Sequence, residues 1–135
     1  MSGSTIATVV VDEPLVMRHS RPFWLSLCVL IWSVVLAGMF APKAVVDPLE
    51  VNQFDKLLHL GALMAMIVSA RCAFTYVRCF WFWGAALFLA FALEMLQPIL
   101  QTSREFNELD LVANLAGVAA AALVLWLGGL VKSFY

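Results

Sequence analysis

The chain has 135 residues, of which 64% are hydrophobic and only 13% charged, and its formal net charge is −1. Soluble domains carry about 25% charged residues, so a water-soluble fold of this size is excluded and a bilayer is the expected solvent. The near-zero net charge also excludes a general basic surface for nucleic acid.

Taken in chain order, residues 1–20 are mixed and poorly periodic and are expected to form a loose or surface-lying cytoplasmic tail. Residues 21–132 then read as one transmembrane domain of four helices, an all-α up-down bundle with spans at about 22–41, 55–75, 80–100 and 109–131. Each apolar run is assigned to a helix because a bilayer offers no partner for an unpaired backbone N–H.

The first run, "PFWLSLCVLIWSVVLAGMFA", carries no charge. It is longer than the roughly 7 to 15 apolar residues of a signal-peptide core and is taken as a true span. The second is the shortest and holds His59 near its start, reaching spanning length if Asp55 and Lys56 form its first turn. Glu94 and Gln97 lie in the third, followed by Pro98, which has no N–H to donate and frees the carbonyl of Glu94. The fourth is rich in Ala, Leu and Val. Cys28, Cys72 and Cys79 lack zinc-finger spacing and are read as packing residues.

Basic residues set the expected orientation. Arg18, Arg21, Arg71, Arg78 and Lys132 share one side, while Lys43, Lys56 and Arg104 share the other with most of the acids. Cytoplasmic loops favour Lys and Arg, so both termini are expected in the cytoplasm.

The polar residues inside the spans form a pattern. At 1.5 Å of rise per residue, Glu94 lies roughly 10 Å, and Gln97 roughly 5 Å, below the extracytoplasmic end of the third helix. Asp55 and His59 share one face of the second helix at that end, and Asp110 and Asn114 share one face of the fourth. Gly117 and Ala121 continue the latter face as small residues suited to close helix packing. Lys56 and Arg104 are placed at the rim, and Arg104 is the first candidate partner of Glu94 because a guanidinium grips a carboxylate at two points, with Lys56 and His59 as the alternatives. An acid facing lipid is penalised, so Glu94 is expected to face the bundle.

Several kinds of chemistry fit such a layer. A metal site built on His59 with Glu94, Asp110 or Asp55 ranks lowest, since one histidine is present, and no metal or other cofactor is assigned. General acid–base chemistry with Glu94 and His59 ranks above it, but no nucleophile is evident and no catalytic residue is assigned. A pocket for a polar or anionic group at the membrane surface ranks first, with Asp55, Lys56, His59, Glu94, Gln97, Arg104, Asp110 and Asn114 as its residues.

"DKLLH" at 55–59, "EMLQ" at 94–97, Arg104, Asp110, Asn114 and Gly117 together resemble the VanZ-like membrane proteins. Their recurring signature is Asp-Lys-x-x-His, Glu-x-x-Gln, an Arg, then Asp-x-x-x-Asn-x-x-Gly. The likeness covers about residues 50–125, and Ala121 stands where the family often has a second glycine. The family is named after a protein linked to low-level resistance to teicoplanin-type glycopeptides. The resemblance implies a cell-envelope role in a bacterial inner membrane and supplies no reaction.

The expected function is therefore binding of an envelope lipid headgroup or glycan-lipid-type ligand. Membrane lipids are the expected partners. A small accessory subunit among other membrane-protein subunits is the alternative, and an enzyme acting on a lipid-linked substrate comes third.

Overall fold

The computed structural model of the chain describes residues 15–41, 52–100 and 105–128. These residues form four α-helices: α1 Leu15–Met39, α2 Asn52–Ala73, α3 Cys79–Leu100 and α4 Glu108–Leu127. All four are long and apolar enough to cross a membrane, and there is no strand among the described residues. The chain is a multi-pass membrane protein.

The helix limits refine those expected from sequence. α1 begins at Leu15 and runs through Pro22, so residues 15–20 are helical and not part of a loose tail. Residues 1–14 lie outside the described residues. α2 starts at Asn52, ahead of Asp55, which supplies the length that its apolar run lacks. α3 continues through Pro98 to Leu100.

α2 is the central element. It packs most extensively on α4, then on α1, and touches α3, while α3 leans mainly on α4. Burial is greatest in this central helix: 44% of the second span is buried inside the bundle, against 39% of the fourth, 28% of the third and 11% of the first. Large apolar side chains on the outer faces, such as Val34, Phe88, Val112 and Leu127, are exposed and face lipid.

Gly117 sets the approach of α2 and α4. A Cβ added there would lie 2.6 Å from the carbonyl oxygen of Leu60 and 3.0 Å from Leu63 Cβ. Ala121, one turn further along, is fully buried and extends the contact. Without a hydrophobic effect between helices in lipid, such close backbone contact is a main source of association. α1 is tied to α2 by Trp32, whose indole Nε1 donates to the Met66 carbonyl at 3.1 Å.

At the end of the bundle where α2 passes into α3, Arg71 is buried and closes the connection. Its Nη1 donates to the Val77 carbonyl at 2.8 Å, and its guanidinium lies 5.0 Å from the ring centre of Phe82. Arg21 of α1 stacks on Tyr76 of the same connection at 5.2 Å. Cys28, Cys72 and Cys79 are all free thiols.

Replacing Gly117 by Ala is expected to cost about 1–3 kcal/mol, because the added methyl must push two backbones apart. Gly61→Ala and Gly84→Ala meet nothing within 4 Å and should be neutral or stabilising by up to about 1 kcal/mol. Thermal unfolding in detergent measures all three. An equal response at the three positions contradicts the close approach.

Candidate functional site

The end of the bundle opposite Arg71 gathers polar side chains from α2, α3 and α4. Of the residues expected there, Asp55, Lys56, His59, Glu94, Gln97, Asp110 and Asn114 all arrive in one layer, and Arg104 lies outside the described residues. His59, Glu94, Gln97, Asp110 and Asn114 are buried although every one is polar or charged.

Asn114 is the hub. Its Nδ2 donates to the Ala90 carbonyl of α3 at 3.3 Å, which commits Oδ1 to the acceptor role. That oxygen faces His59 Nδ1 of α2 at 3.2 Å, so Nδ1 carries the ring proton and donates. One amide therefore joins three helices. It also orients the imidazole so that Nε2 points toward Asp55 Oδ1, 3.9 Å away and one helical turn back.

Asp110 approaches the same place from the first turn of α4. Its Oδ1 is buried and accepts no hydrogen bond, and Lys56 Nζ stands 4.0 Å from it with its side chain 29% exposed. Lys56 thus occupies the rim, as its position in the first turn of α2 implied. Donor atoms of Asp55, His59 and Asp110 all lie within 4.8 Å of one another.

Glu94 is 1% exposed and faces the bundle. Its Oε1 accepts the backbone N–H of Asn107 at 3.1 Å. Asn107 is also the N-cap of α4, its side chain accepting from Leu109 N at 3.0 Å. The carboxylate therefore sits at the positive end of the α4 dipole and satisfies an amide of the incoming loop.

Gln97 behaves differently from its neighbours. Its Nε2 donates to the Met39 carbonyl at 3.4 Å, linking the last turn of α3 to the end of α1. It lines a cavity of about 190 Å³ bounded also by Gly38, Asp55, Leu58 and His59. A second, apolar cavity of about 360 Å³ follows toward the Arg71 end, between Trp32, Ile67, Phe82 and Phe88. Both are bounded by α1, α2 and α3, along the seam where α1 and α3 scarcely touch.

Two residues of consequence were not singled out from sequence. Asn107 carries a signal, since Asn before an apolar run is a preferred N-cap. Arg71 carries none, because an arginine near the end of a span ordinarily reaches to the surface. Comparison with family models, curated proteins and solved structures returns no match.

Asn114→Ala removes both of its interhelical hydrogen bonds. Such bonds are worth about 0.6 kcal/mol on average and reach about 1.7 kcal/mol, so a loss of about 1–2 kcal/mol is expected. Leu115→Ala, next to it on an exposed face, should change stability less. Denaturation in mixed micelles distinguishes them, and a neutral Asn114→Ala contradicts the hub.

Proposed function

We propose that this chain is a VanZ-like protein of a bacterial inner membrane, with both termini cytoplasmic, that binds an envelope lipid by its anionic headgroup. The headgroup, of phospholipid or glycan-lipid type, meets the polar layer at the extracytoplasmic face. The acyl chain lies along the seam between α1 and α3.

The observation that carries this reading is the succession of two cavities along one seam bounded by α1, α2 and α3. Both have mostly apolar walls, and Asp55, His59 and Gln97 bring polar groups to the wall of the first. A lipid has the same division along its length. Lys56 at the rim supplies a positive charge for a phosphate, and near a membrane surface each such charge attracts an anionic lipid by about 1 kcal/mol.

Magnitudes favour a use for the polar layer beyond holding helices together. An Asp, Lys or Arg placed centrally in a span costs about 2.5–3.5 kcal/mol on insertion scales, and less toward the surface. Each interhelical hydrogen bond returns about 0.6 kcal/mol. Close packing at Gly117 already brings α2 and α4 together by backbone contact. Orientation is supported by Arg21, Arg71 and Arg78, which all lie at the end opposite the polar layer, as basic residues on the cytoplasmic side should.

A second reading, an accessory subunit of a larger complex, is favoured by α1. With only 11% of its span buried, most of that helix is free to pack on another protein.

Gly38 lines the polar cavity, and a Cβ there meets nothing within 4 Å. Gly38→Leu should therefore fold normally and fill the space. Native mass spectrometry of protein released gently from bacterial membranes is expected to show bound lipid on the wild type, and markedly less on Gly38→Leu and Lys56→Ala. Equal lipid on all three contradicts the lipid reading, whereas a stoichiometric protein partner supports the subunit.

A further inference from the structure

We propose that Asp55, His59 and Asp110 form a binding site for a divalent metal ion of the zinc class. The three donors come from two helices and lie within 4.8 Å of one another. Donors in a closed tetrahedral zinc site are roughly 3.4 Å apart, given metal–ligand bonds of about 2.0–2.2 Å. The difference, at most about 1.4 Å, is of the size that a carboxylate oxygen moves when its side chain rotates.

Three features separate this cluster from an ordinary patch of acids. Asp110 is 5% exposed, and its buried Oδ1 accepts no hydrogen bond. Such an oxygen aimed into a cluster lacks what burial requires, and a cation supplies it. His59 is the second feature. Asn114 Oδ1 accepts a hydrogen bond from Nδ1–H, and in that tautomer the lone pair is on Nε2, on the side of the two carboxylates. A metal-bound histidine is oriented in this manner, by a hydrogen bond from its other ring nitrogen.

Charge is the third. A divalent ion balances two carboxylates with a neutral imidazole, and the set of one nitrogen and two oxygens suits zinc and its neighbours. Asp55 and His59 also line the cavity beside Gln97, so further coordination positions open toward a space large enough for a water molecule or a phosphate oxygen. Lys56 Nζ, 4.0 Å from Asp110 Oδ1, competes with the ion for the same oxygen. Its partly exposed chain, already at the rim, turns further outward when the ion enters.

The site is tested without lipid. Zn²⁺ is titrated calorimetrically into the full chain, purified in detergent and stripped with a chelator, and the loaded protein is examined by X-ray absorption. One equivalent is expected, in a shell of one imidazole and oxygens. Asp110→Asn and His59→Ala should lose binding, and Asn114→Ala should weaken it about 10- to 100-fold. Lys56→Gln should tighten it by removing the competing ammonium. Should Asp110→Asn fail to fold, Asp55→Asn at the less buried acid carries the same test. Undiminished zinc binding in the aspartate variants, a sulfur-containing shell from the free cysteines, or weaker binding in Lys56→Gln would each overturn the assignment.

Discussion

The approach of α2 to α4 at Gly117 is the constraint on which the other features rest. With a Cβ position only 2.6 Å from the Leu60 carbonyl, no other residue type permits the two backbones to sit this close without a shift. One turn away, toward the polar end, the same contact brings Asn114 within hydrogen-bond reach of His59. Asp110, a further turn along, is carried to Asp55 and Lys56. The small-residue stripe and the polar stripe share one face of α4, so packing and chemistry are set by a single helix register. A shift of that register by one residue would turn both stripes away together.

The second organising feature is the unequal attachment of the helices. α2 touches all three others, whereas α1 and α3 meet mainly where Gln97 bonds the Met39 carbonyl. That bond closes the seam at its polar extremity and leaves it open along the hydrocarbon. Two cavities in succession along the seam, the first bordered by Asp55, His59 and Gln97, accompany this arrangement, as does the exposure of α1. The lipid and metal proposals draw on the same layer from opposite sides. The headgroup would approach from the cavity beside Gln97, and the ion from among the carboxylates behind it.

Much of this was legible in the sequence because bilayers leave few choices. Three apolar runs of spanning length and a shorter second one dictated four helices, and chain reversal placed "DKLLH", "EMLQ" and "DLVAN" at one level. The four-residue spacings then put Asp55 with His59, and Asp110 with Asn114, on shared faces. What escaped was governed by contacts that leave no mark on residue type. The expected partner of Glu94, Arg104, lies outside the described residues, and the contact that is seen, from the backbone amide of Asn107 to one Glu94 oxygen, involves a group that any residue has. Hydropathy shows which helices cross but not which ones touch, so the seam between α1 and α3 was not foreseeable. The helical start at Leu15 was hidden by the mixed residues ahead of Pro22.

The convergence of α2, α3 and α4 through Asn114 is best tested by magic-angle-spinning NMR on labelled protein in lipid bilayers. The account predicts a through-space contact between the His59 ring and the Asn114 side-chain amide, consistent with a separation of 3.2 Å. A folded, bilayer-embedded protein in which those two side chains show no contact would contradict it.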